Sequence, residues 1–345
     1  MTPGIPSFIL RSARVRDRRA ILQLARELDS INLPVSAAEM GELLERSERS
    51  FRGEIPDRSR AVYVFCAEEI ATRRIVAASL IIGKHGTPQA PHYYLEIDSD
   101  ERYSHTLRRM FRHTYLRLRY SMNGPTEIGG LIVAPAMRGH AERIGKQISW
   151  VRFMYIARHR RRFEPELIAE MLPPLHSDHG NTFWDHYGRV VTGLSFREAD
   201  HLSTHDKEFI RALFPESPLY TFLLPEDVRN SIGAVGEQTR GAVHLLRQAG
   251  MHFLDQIDPF DGGPYYGGKI DELKPICECR SLRAFCDSPD KKSSDVLAGY
   301  EDAARGFRAV RTGAVIDGDK LMIEPAVLKL LGAAEKTRLA VVPVP

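Results

Sequence analysis

The chain has 345 residues, enough for one large hydrophobic core or two smaller ones. Apolar residues make up 43% and charged residues 27%, which is ordinary for a globular soluble protein. The 48 basic residues exceed the 45 acidic ones by three, a surplus that by itself says little about partners. Four cysteines are too few for a disulfide scaffold, no apolar run reaches the ~20 residues of a membrane span, and residues 1–9 lack a secretory signal. We therefore expect a soluble protein of the reducing cytoplasm.

The first elements follow from hydrophobic spacing. Residues 8–10 predict a short strand, and the helical spacing after it begins where Asp17 stands as a candidate N-cap. Ser36, with a glutamate three residues later, predicts a capping box at the start of a second helix. The β-rich runs 61–66 and 75–82 enclose a polar stretch, which predicts a hairpin.

The middle of the chain alternates between loop, strand and helix signals. Prolines and acidic residues over 88–101 predict a long loop or insertion. Residues 128–133 predict a buried strand, and a long helix is expected over 138–157. A further strand is predicted at 166–171, followed by a short helix at 183–187 that Gly188 ends.

The last part of the chain predicts more helices and short strands. Expected helices are 208–213, one beginning at Pro225, 239–248 closed by Gly250, and 325–331; expected strands are 253–257, 307–310, 314–316 and 340–344, with a surface loop at 288–294. Helices between strands indicate an α/β protein with a mixed β-sheet flanked by helices. We expect one half over 1–200 and a second α/β half over 201–345, which ends in a small β-rich tail.

Arginines concentrate in two places, 108–119 and 158–162. Solvated helix faces explain such clusters, and a phosphate-rich ligand is the sharper alternative. Aromatic residues do not alternate with these arginines as base-stacking platforms would, so a nucleic acid partner is disfavoured, although it stays a separate hypothesis.

The stretch from Glu127 to His140 carries the first chemical signal. An apolar strand runs into a turn with Arg138 and then into a helix, whose N-terminal N–H groups and dipole can hold a pyrophosphate. The stretch resembles the GNAT acyltransferase superfamily, although Arg143 stands where a small residue is usual. The resemblance implies a GNAT-like fold and an acyl-CoA cosubstrate, and the positions that it assigns to this ligand are Leu131, Val133, Arg138, Gly139, Ala141 and Arg143. A plain strand-to-helix connection is the alternative.

A narrower resemblance rests on Phe183-Trp184, Ser231-Ile232-Gly233 and above all Ile257-Asp-Pro-Phe-Asp-Gly-Gly-Pro264. These strings resemble the arginine/ornithine N-succinyltransferases, over roughly 8–345. The resemblance implies transfer of succinyl from succinyl-CoA to the α-amino group of arginine or ornithine, by a cytoplasmic homo- or hetero-oligomer without a membrane partner.

Two departures from the family pattern affect catalysis. Gly236 follows the Ile-Gly-x-Val string, where the family has a histidine thought to transfer a proton, so Glu237 and Glu170 are the candidate bases. Trp184 replaces a tyrosine that can protonate the departing thiolate, which leaves Tyr187 as the nearby candidate acid. The structural alternatives are a first-turn helix charge for Glu237 and a sheet position for Glu170.

The acceptor is expected near Trp184 and the turn Asp261-Gly262-Gly263, because a carboxylate pairs bidentately with a guanidinium; turn formation is the equal alternative for Asp261. No permanently bound cofactor or metal is expected, and the histidines near Asp178 are better explained as loop polarity. The main competing function is a catalytically impaired or regulatory subunit of such a transferase.

Overall fold

The computed structural model describes residues 6–28, 33–174, 180–203, 207–287 and 293–344. The strands in these ranges are β1 Phe8–Ser12, β2 Val62–Glu69, β3 Ile75–Ile82, β4 His92–Ser104, β5 Arg109–Ser121, β6 Thr126–Val133, β7 Glu166–Glu170, β8 Leu219–Tyr220, β9 His252–Ile257, β10 Pro264–Lys269, β11 Arg280–Cys286, β12 Ser294–Asp302, β13 Gly306–Asp317, β14 Lys320–Ile323 and β15 Arg338–Pro343. The helices are α1 Arg18–Glu27, α2 Ala37–Phe51, α3 Ile144–Arg158, α4 Thr182–His186, α5 Gly188–Thr192, α6 Phe196–Ser203, α7 Glu208–Leu213, α8 Glu226–Ser231, α9 Arg240–Ala249, α10 Lys274–Cys277 and α11 Pro325–Leu331. The mixed α/β class expected from the sequence is confirmed.

The chain folds into two compact units, each assembled from separate segments. Unit 1 contains Met1–Lys84, Thr126–Pro165 and Lys269–Pro345, and unit 2 contains His85–Pro125 and Glu166–Gly268. This division cuts across the boundary at residue 200 that the sequence suggested.

The centre of unit 1 is an antiparallel sheet in which β1, β2, β3 and β6 are neighbours in that order. Successive side chains of β2 point to opposite faces. Val62, Val64 and Cys66 pack against α1 and α2 on one face. Tyr63 and Phe65 on the other face contact Tyr155 of α3, with ring centroids 5.1 and 5.4 Å apart.

The C-terminal part of unit 1 is a small closed β-barrel. Its strands pair in the order β12, β15, β11, β14 and β13, and β13 closes the circle by pairing again with β12. Helix α11 contributes Val327 and Leu331 to the barrel core, and β13 also pairs with β1. The expected β-rich tail is present, although the runs 307–310 and 314–316 form one continuous strand, β13, rather than two.

Unit 2 is built on the strand order β7, β10, β9, β4, β5 and β8. Its longest feature is the hairpin of β4 and β5, which pair in register from His92 and Ser121 to Ser104 and Arg109. The loop expected over 88–101 is therefore confirmed only for 88–91, and residues 92–101 belong to β4. Buried Leu95 and Leu116 alternate with polar neighbours along these strands, as in a sheet with one solvated face.

The same hairpin corrects the interpretation of the first arginine cluster. Arg109, Arg112, Arg117 and Arg119 lie on β5, and Arg108 lies in the turn before it, so these side chains are not on a helix face. The charge pattern of a half-solvated strand explains them: Arg119 Nε donates to Glu96 Oε2 at 2.9 Å across the hairpin.

Several predicted helices are confirmed, with bounds at or close to the expected ones. Helix α2 begins after Ser36, whose hydroxyl accepts the Glu39 N–H as a capping box requires. Helix α9 ends at Gly250, which has a left-handed φ of 95°. Gly188 opens α5 instead of only ending the preceding helix. Most of the predicted surface loop, 288–292, lies outside the described residues.

No helix in the described part of the chain has both the length and the apolar composition needed to cross a membrane.

Candidate active site

Three carboxylates of unit 2 lie together at the end of β7 and the turn between β9 and β10. An oxygen atom of each of Glu170, Asp258 and Asp261 lies within 4.8 Å of one from each of the others. The hydroxyl of Tyr265, on β10, lies 3.1 Å from Asp258 Oδ2 and 3.5 Å from Glu170 Oε2. The cluster therefore combines two residues that the sequence singled out with two that it did not.

The glycine-rich string shapes the turn that carries two of these carboxylates. The Asp258 N–H donates to the Gly263 carbonyl oxygen at 2.8 Å, and the Gly262 N–H donates to the Asp258 carbonyl oxygen at 3.0 Å. Gly262 has a φ of 73°, a conformation that favours glycine. A Cβ atom on Gly263 would overlap the carbonyl oxygen of Met171, so this position has no room for a side chain.

Backbone N–H groups fix both aspartates of the turn. Asp258 Oδ1 accepts the N–H groups of Phe260 at 2.7 Å and of Asp261 at 3.2 Å. Asp261 Oδ1 accepts the Gly263 N–H at 2.7 Å, and Asn181 Nδ2 donates to the Asp261 carbonyl oxygen at 2.9 Å. The turn interpretation of Asp261 is thus correct, and turn formation leaves its carboxylate beside the other two.

Burial governs the electrostatics of this cluster. Removal from water raises the pKa of Asp258, against the opposing effect of the N–H donors that stabilise its ionised form. Three acidic groups this close repel one another when all are ionised, so a cation that enters the cluster gains attraction and relieves repulsion. Chemically, the arrangement suits an ammonium or guanidinium group or a proton.

The aromatic residues expected at the acceptor site lie in the core of unit 2. Trp184 is 0% exposed, stacks on Phe260 with ring centroids 5.2 Å apart, and donates from Nε1 to the Leu194 carbonyl oxygen. Tyr187 is 5% exposed among apolar side chains, and burial raises the pKa of its hydroxyl. Both side chains are used for packing, so the structure gives no support to the predicted substrate contact of Trp184 or to the predicted proton donation by Tyr187.

Glu237, the other candidate base, lies on the surface of unit 2. Its side chain is 88% exposed, and its nearest cationic partner is Arg240 Nη1 at 3.8 Å, in the first turn before α9. This position matches the alternative interpretation of Glu237 as a charge in the first turn of a helix. The neighbouring Gly236 is buried: its N–H donates to the Leu172 carbonyl oxygen, and a Cβ atom there would lie 2.7 Å from the Pro173 carbonyl oxygen.

The Arg138–Arg143 segment of unit 1 forms an exposed turn between β6 and α3. Helix α3 begins at Ile144, six residues later than expected, because Gly139 and Arg143 adopt left-handed φ values of 76° and 52°. In the described chain no side chain caps the first turn of α3. Arg138, Gly139, Ala141 and Arg143 are exposed, and together they leave a positively charged turn at the N-terminus of a 15-residue helix.

Leu131 and Val133 lie half-buried on β6. The pairing of β6 with β3 shifts by one residue between Gly129 and Ile132, and Gly130 has a φ of 56°. This irregularity is a β-bulge, which leaves an extra residue in β6 without a regular ladder partner.

Asp258 and Tyr265 are the members of the acidic cluster that sequence reasoning missed. Asp258 belongs to the same Asp-Pro-Phe-Asp-Gly-Gly-Pro string from which only the second aspartate and the glycines were chosen. The string was the available signal, since two aspartates three residues apart across a tight turn can face the same side. Tyr265 directly follows the string and gave no signal of its own.

Comparison with known proteins identifies the family. The sequence profile of the family described as arginine N-succinyltransferase beta subunit matches residues 8–275. The chain belongs to this family. The resemblance expected from the glycine-rich string is thereby confirmed, and the chain is assigned to a family of transferases.

Individual relatives match over almost the entire chain. The arginine N-succinyltransferase subunit beta of Pseudomonas aeruginosa is 28% identical over 97% of this chain and 98% of its own length. An arginine N-succinyltransferase of Citrobacter koseri is 29% identical over 96% and 97%. The solved structure of the arginine/ornithine succinyltransferase subunit AI from Pseudomonas aeruginosa superposes with a TM-score of 0.83 at 22% identity, covering 99% of both chains, so the two share a fold.

Proposed function

We propose that this protein transfers a succinyl group from succinyl-CoA to the α-amino group of arginine or ornithine. The amino nitrogen attacks the thioester carbonyl, a C–N bond forms, the C–S bond breaks, and the CoA thiolate leaves while the amine proton passes to a base. The observation that carries the proposal is the cluster of Glu170, Asp258 and Asp261, whose charge suits a cationic amino acid. Family membership supplies the class of reaction.

Within this proposal the three carboxylates have two different roles, binding of the acceptor and proton transfer. Asp258 and Asp261 are fixed by backbone donors, so they hold the cationic side chain of the acceptor in a preset orientation. Glu170, the last residue of β7, is assigned the amine proton.

The acyl-CoA is assigned to the turn of unit 1. Arg138 and Arg143, with the uncapped start of α3, supply charge and N–H groups suited to a pyrophosphate. The β-bulge in β6 near Leu131 interrupts the regular pairing with β3, a distortion suited to re-aim a backbone polar group at a thioester carbonyl. Succinyl as the acyl group, a cytoplasmic location and assembly into an oligomer are parts of the same proposal.

Calorimetric titration with L-arginine and L-citrulline tests the acceptor assignment. Citrulline has nearly the shape of arginine without its charge, so the unmodified protein should bind arginine at least about tenfold more tightly. Asp258→Asn should remove most of this difference, while Glu237→Gln, which changes an exposed carboxylate outside the cluster, should leave it intact. Equal affinity for the two amino acids in the unmodified protein would refute the acceptor site.

A second candidate function is that of a subunit without turnover. The observation that favours it is Gly236, which stands where the family resemblance places a proton-transferring histidine and whose surroundings leave no room for a side chain. Such a subunit would bind both ligands and release no CoA.

A further inference from the structure

A second cleft, with a volume of about 620 Å³, opens in unit 1 beside β1 and α11. It shares no residue with the Arg138–Arg143 turn or with the carboxylate cluster. Seven of its twelve lining residues are arginine or lysine, and Glu68 is its one acidic residue. Its volume falls in the range of small-molecule sites.

Part of this positive charge is neutralised within the protein. Arg11 pairs with Asp17 at 2.7 Å and with Glu68 at 2.8 Å, and Arg308 pairs with Asp302 at 2.9 Å. These pairs explain why arginines are buried in the cleft. They also neutralise Glu68, the carboxylate in its wall.

Arg73 also pairs with Glu68, at 2.8 Å, and the other four cations of the cleft have no such partner within the described chain. Among the described residues, no carboxylate lies within ion-pair distance of Arg14, Arg16, Arg305 or Lys329. Arg14 Nη2 instead donates to the carbonyl oxygen of Arg305 at 2.8 Å, which holds these two residues at one end of the cleft. Four uncompensated positive charges around one concavity are the arrangement that recognises a polyanion.

Arg305 and Arg308 are also crowded together. Nη atoms of both lie within 3.0 Å of the point where a Cβ on Gly332 would be. In the described structure Nε of Arg308 is buried without a hydrogen-bond partner, an expensive condition that an anionic oxygen would relieve. Burial lowers the pKa of Arg308, and the neighbouring charges of Arg305 and Arg14 lower it further, against the effect of Asp302.

Apolar side chains complete the wall. Ile70, Ala326 and Leu330 lie among the cations, so the cleft offers contact to an uncharged organic group as well as to an anion. We propose that this cleft binds an organic molecule with two or more phosphoryl groups, because arginine forks match phosphate oxygens and the apolar wall suits a ring or chain attached to them.

Calorimetry with ADP as the probe tests the proposal on the full chain without CoA, because CoA belongs to the same class of phosphorylated ligands. We expect ADP to bind in this cleft, and adenosine without phosphates should not bind. Arg305→Gln/Lys329→Gln should weaken ADP binding at least about tenfold, since both side chains are exposed and glutamine keeps the polar surface. The control Lys269→Gln/Lys274→Gln removes the same charge from exposed ion pairs of unit 1 and should change the affinity less than twofold.

Three results would overturn this assignment. The first is no uptake of ADP by the unmodified protein at millimolar concentration. The second is an equal loss of affinity in both double variants, which would indicate diffuse surface attraction. The third is loss of ADP binding in Arg138→Gln/Arg143→Gln with binding intact in Arg305→Gln/Lys329→Gln, which would place ADP at the turn before α3. None of these readouts depends on catalytic activity, so the test is separate from that of the proposed function.

Discussion

Arg11 is the centre of a buried ion-pair network in unit 1. Its Nε donates to Glu68 at 2.8 Å, and its Nη1 and Nη2 donate to the two oxygens of Asp17 at 2.7 and 2.9 Å. Burial alone would raise the pKa of Asp17, but the bonds and charge of Arg11 lower it below its usual value. The network therefore depends on a guanidinium that satisfies two buried carboxylates at once.

Replacing Arg11 by methionine should lower the free energy of unfolding by about 3–5 kcal/mol, since two buried carboxylates lose their partner. Because the folded-state pKa of Asp17 is lowered, its contribution is present above its ordinary pKa and disappears as pH falls through the folded value. Urea unfolding at several pH values checks both points, and the variant should lose part of the acid sensitivity. Arg73→Gln, which removes a 71% exposed partner of Glu68, should cost less than about 1 kcal/mol. Equal losses in the two variants would contradict the account.

Asp17 also shows what local sequence cannot reveal. Its position before α1 predicts a helix cap, yet its carboxylate makes no cap bond to α1 and turns to Arg11 and to the Arg14 N–H. The competing partner lies on β1, and the energetic advantage of a buried bidentate pair decides the outcome. In the same way Trp184 and Tyr187 were expected at a site because of a motif, whereas their burial places them in the core.

The turn between β9 and β10 is the element on which the acceptor site depends. Gly263 touches the Met171 carbonyl oxygen and the Asp261 carboxylate, so its missing side chain sets how closely β7 and the turn approach. A change at this glycine alters the site through the turn, without removing any of the three carboxylates.

Gly263→Ala should therefore destabilise the protein by about 1–3 kcal/mol and weaken arginine binding, because the new methyl group forces the turn away from Met171. Gly241→Ala is the matched control. Gly241 lies in α9 with open space around its Cβ position, so this change should stabilise the protein by about 0.5–1 kcal/mol. Thermal unfolding and arginine titration of both variants check the prediction, and a neutral effect at Gly263 would disprove it.

Helices and strands whose apolar residues recur at a regular spacing were predictable from the sequence, and the others were not. Helix α11 was expected at its observed bounds because apolar spacing and Pro325 mark both its face and its start. Hairpin β4–β5 was missed because its charged residues resemble a loop when the facing strand is unknown. The start of α3 was misplaced because the left-handed φ of Arg143 has no sequence signal.

At the scale of the molecule, the chain passes between the two units several times. A boundary near residue 200 was expected because the pattern of helices and strands becomes less regular after it. Contacts between distant segments leave no local pattern in the sequence. The acidic cluster is the functional consequence: Glu170 and the 258–264 turn are far apart in sequence and adjacent in unit 2. The sequence identified Glu170 and Asp261 as candidate site residues, but only the fold shows that Asp258 and Tyr265 lie beside them.

The most direct measurement is arginine-dependent release of CoA from succinyl-CoA, with the product identified by mass spectrometry. The account predicts release that requires L-arginine or L-ornithine, is weak with citrulline, and yields a product heavier by one succinyl group. Asp258→Asn should raise the KM for arginine, and Glu170→Gln should lower kcat with little change in KM. No arginine-dependent release from a protein that binds both ligands would contradict the account and establish the subunit without turnover.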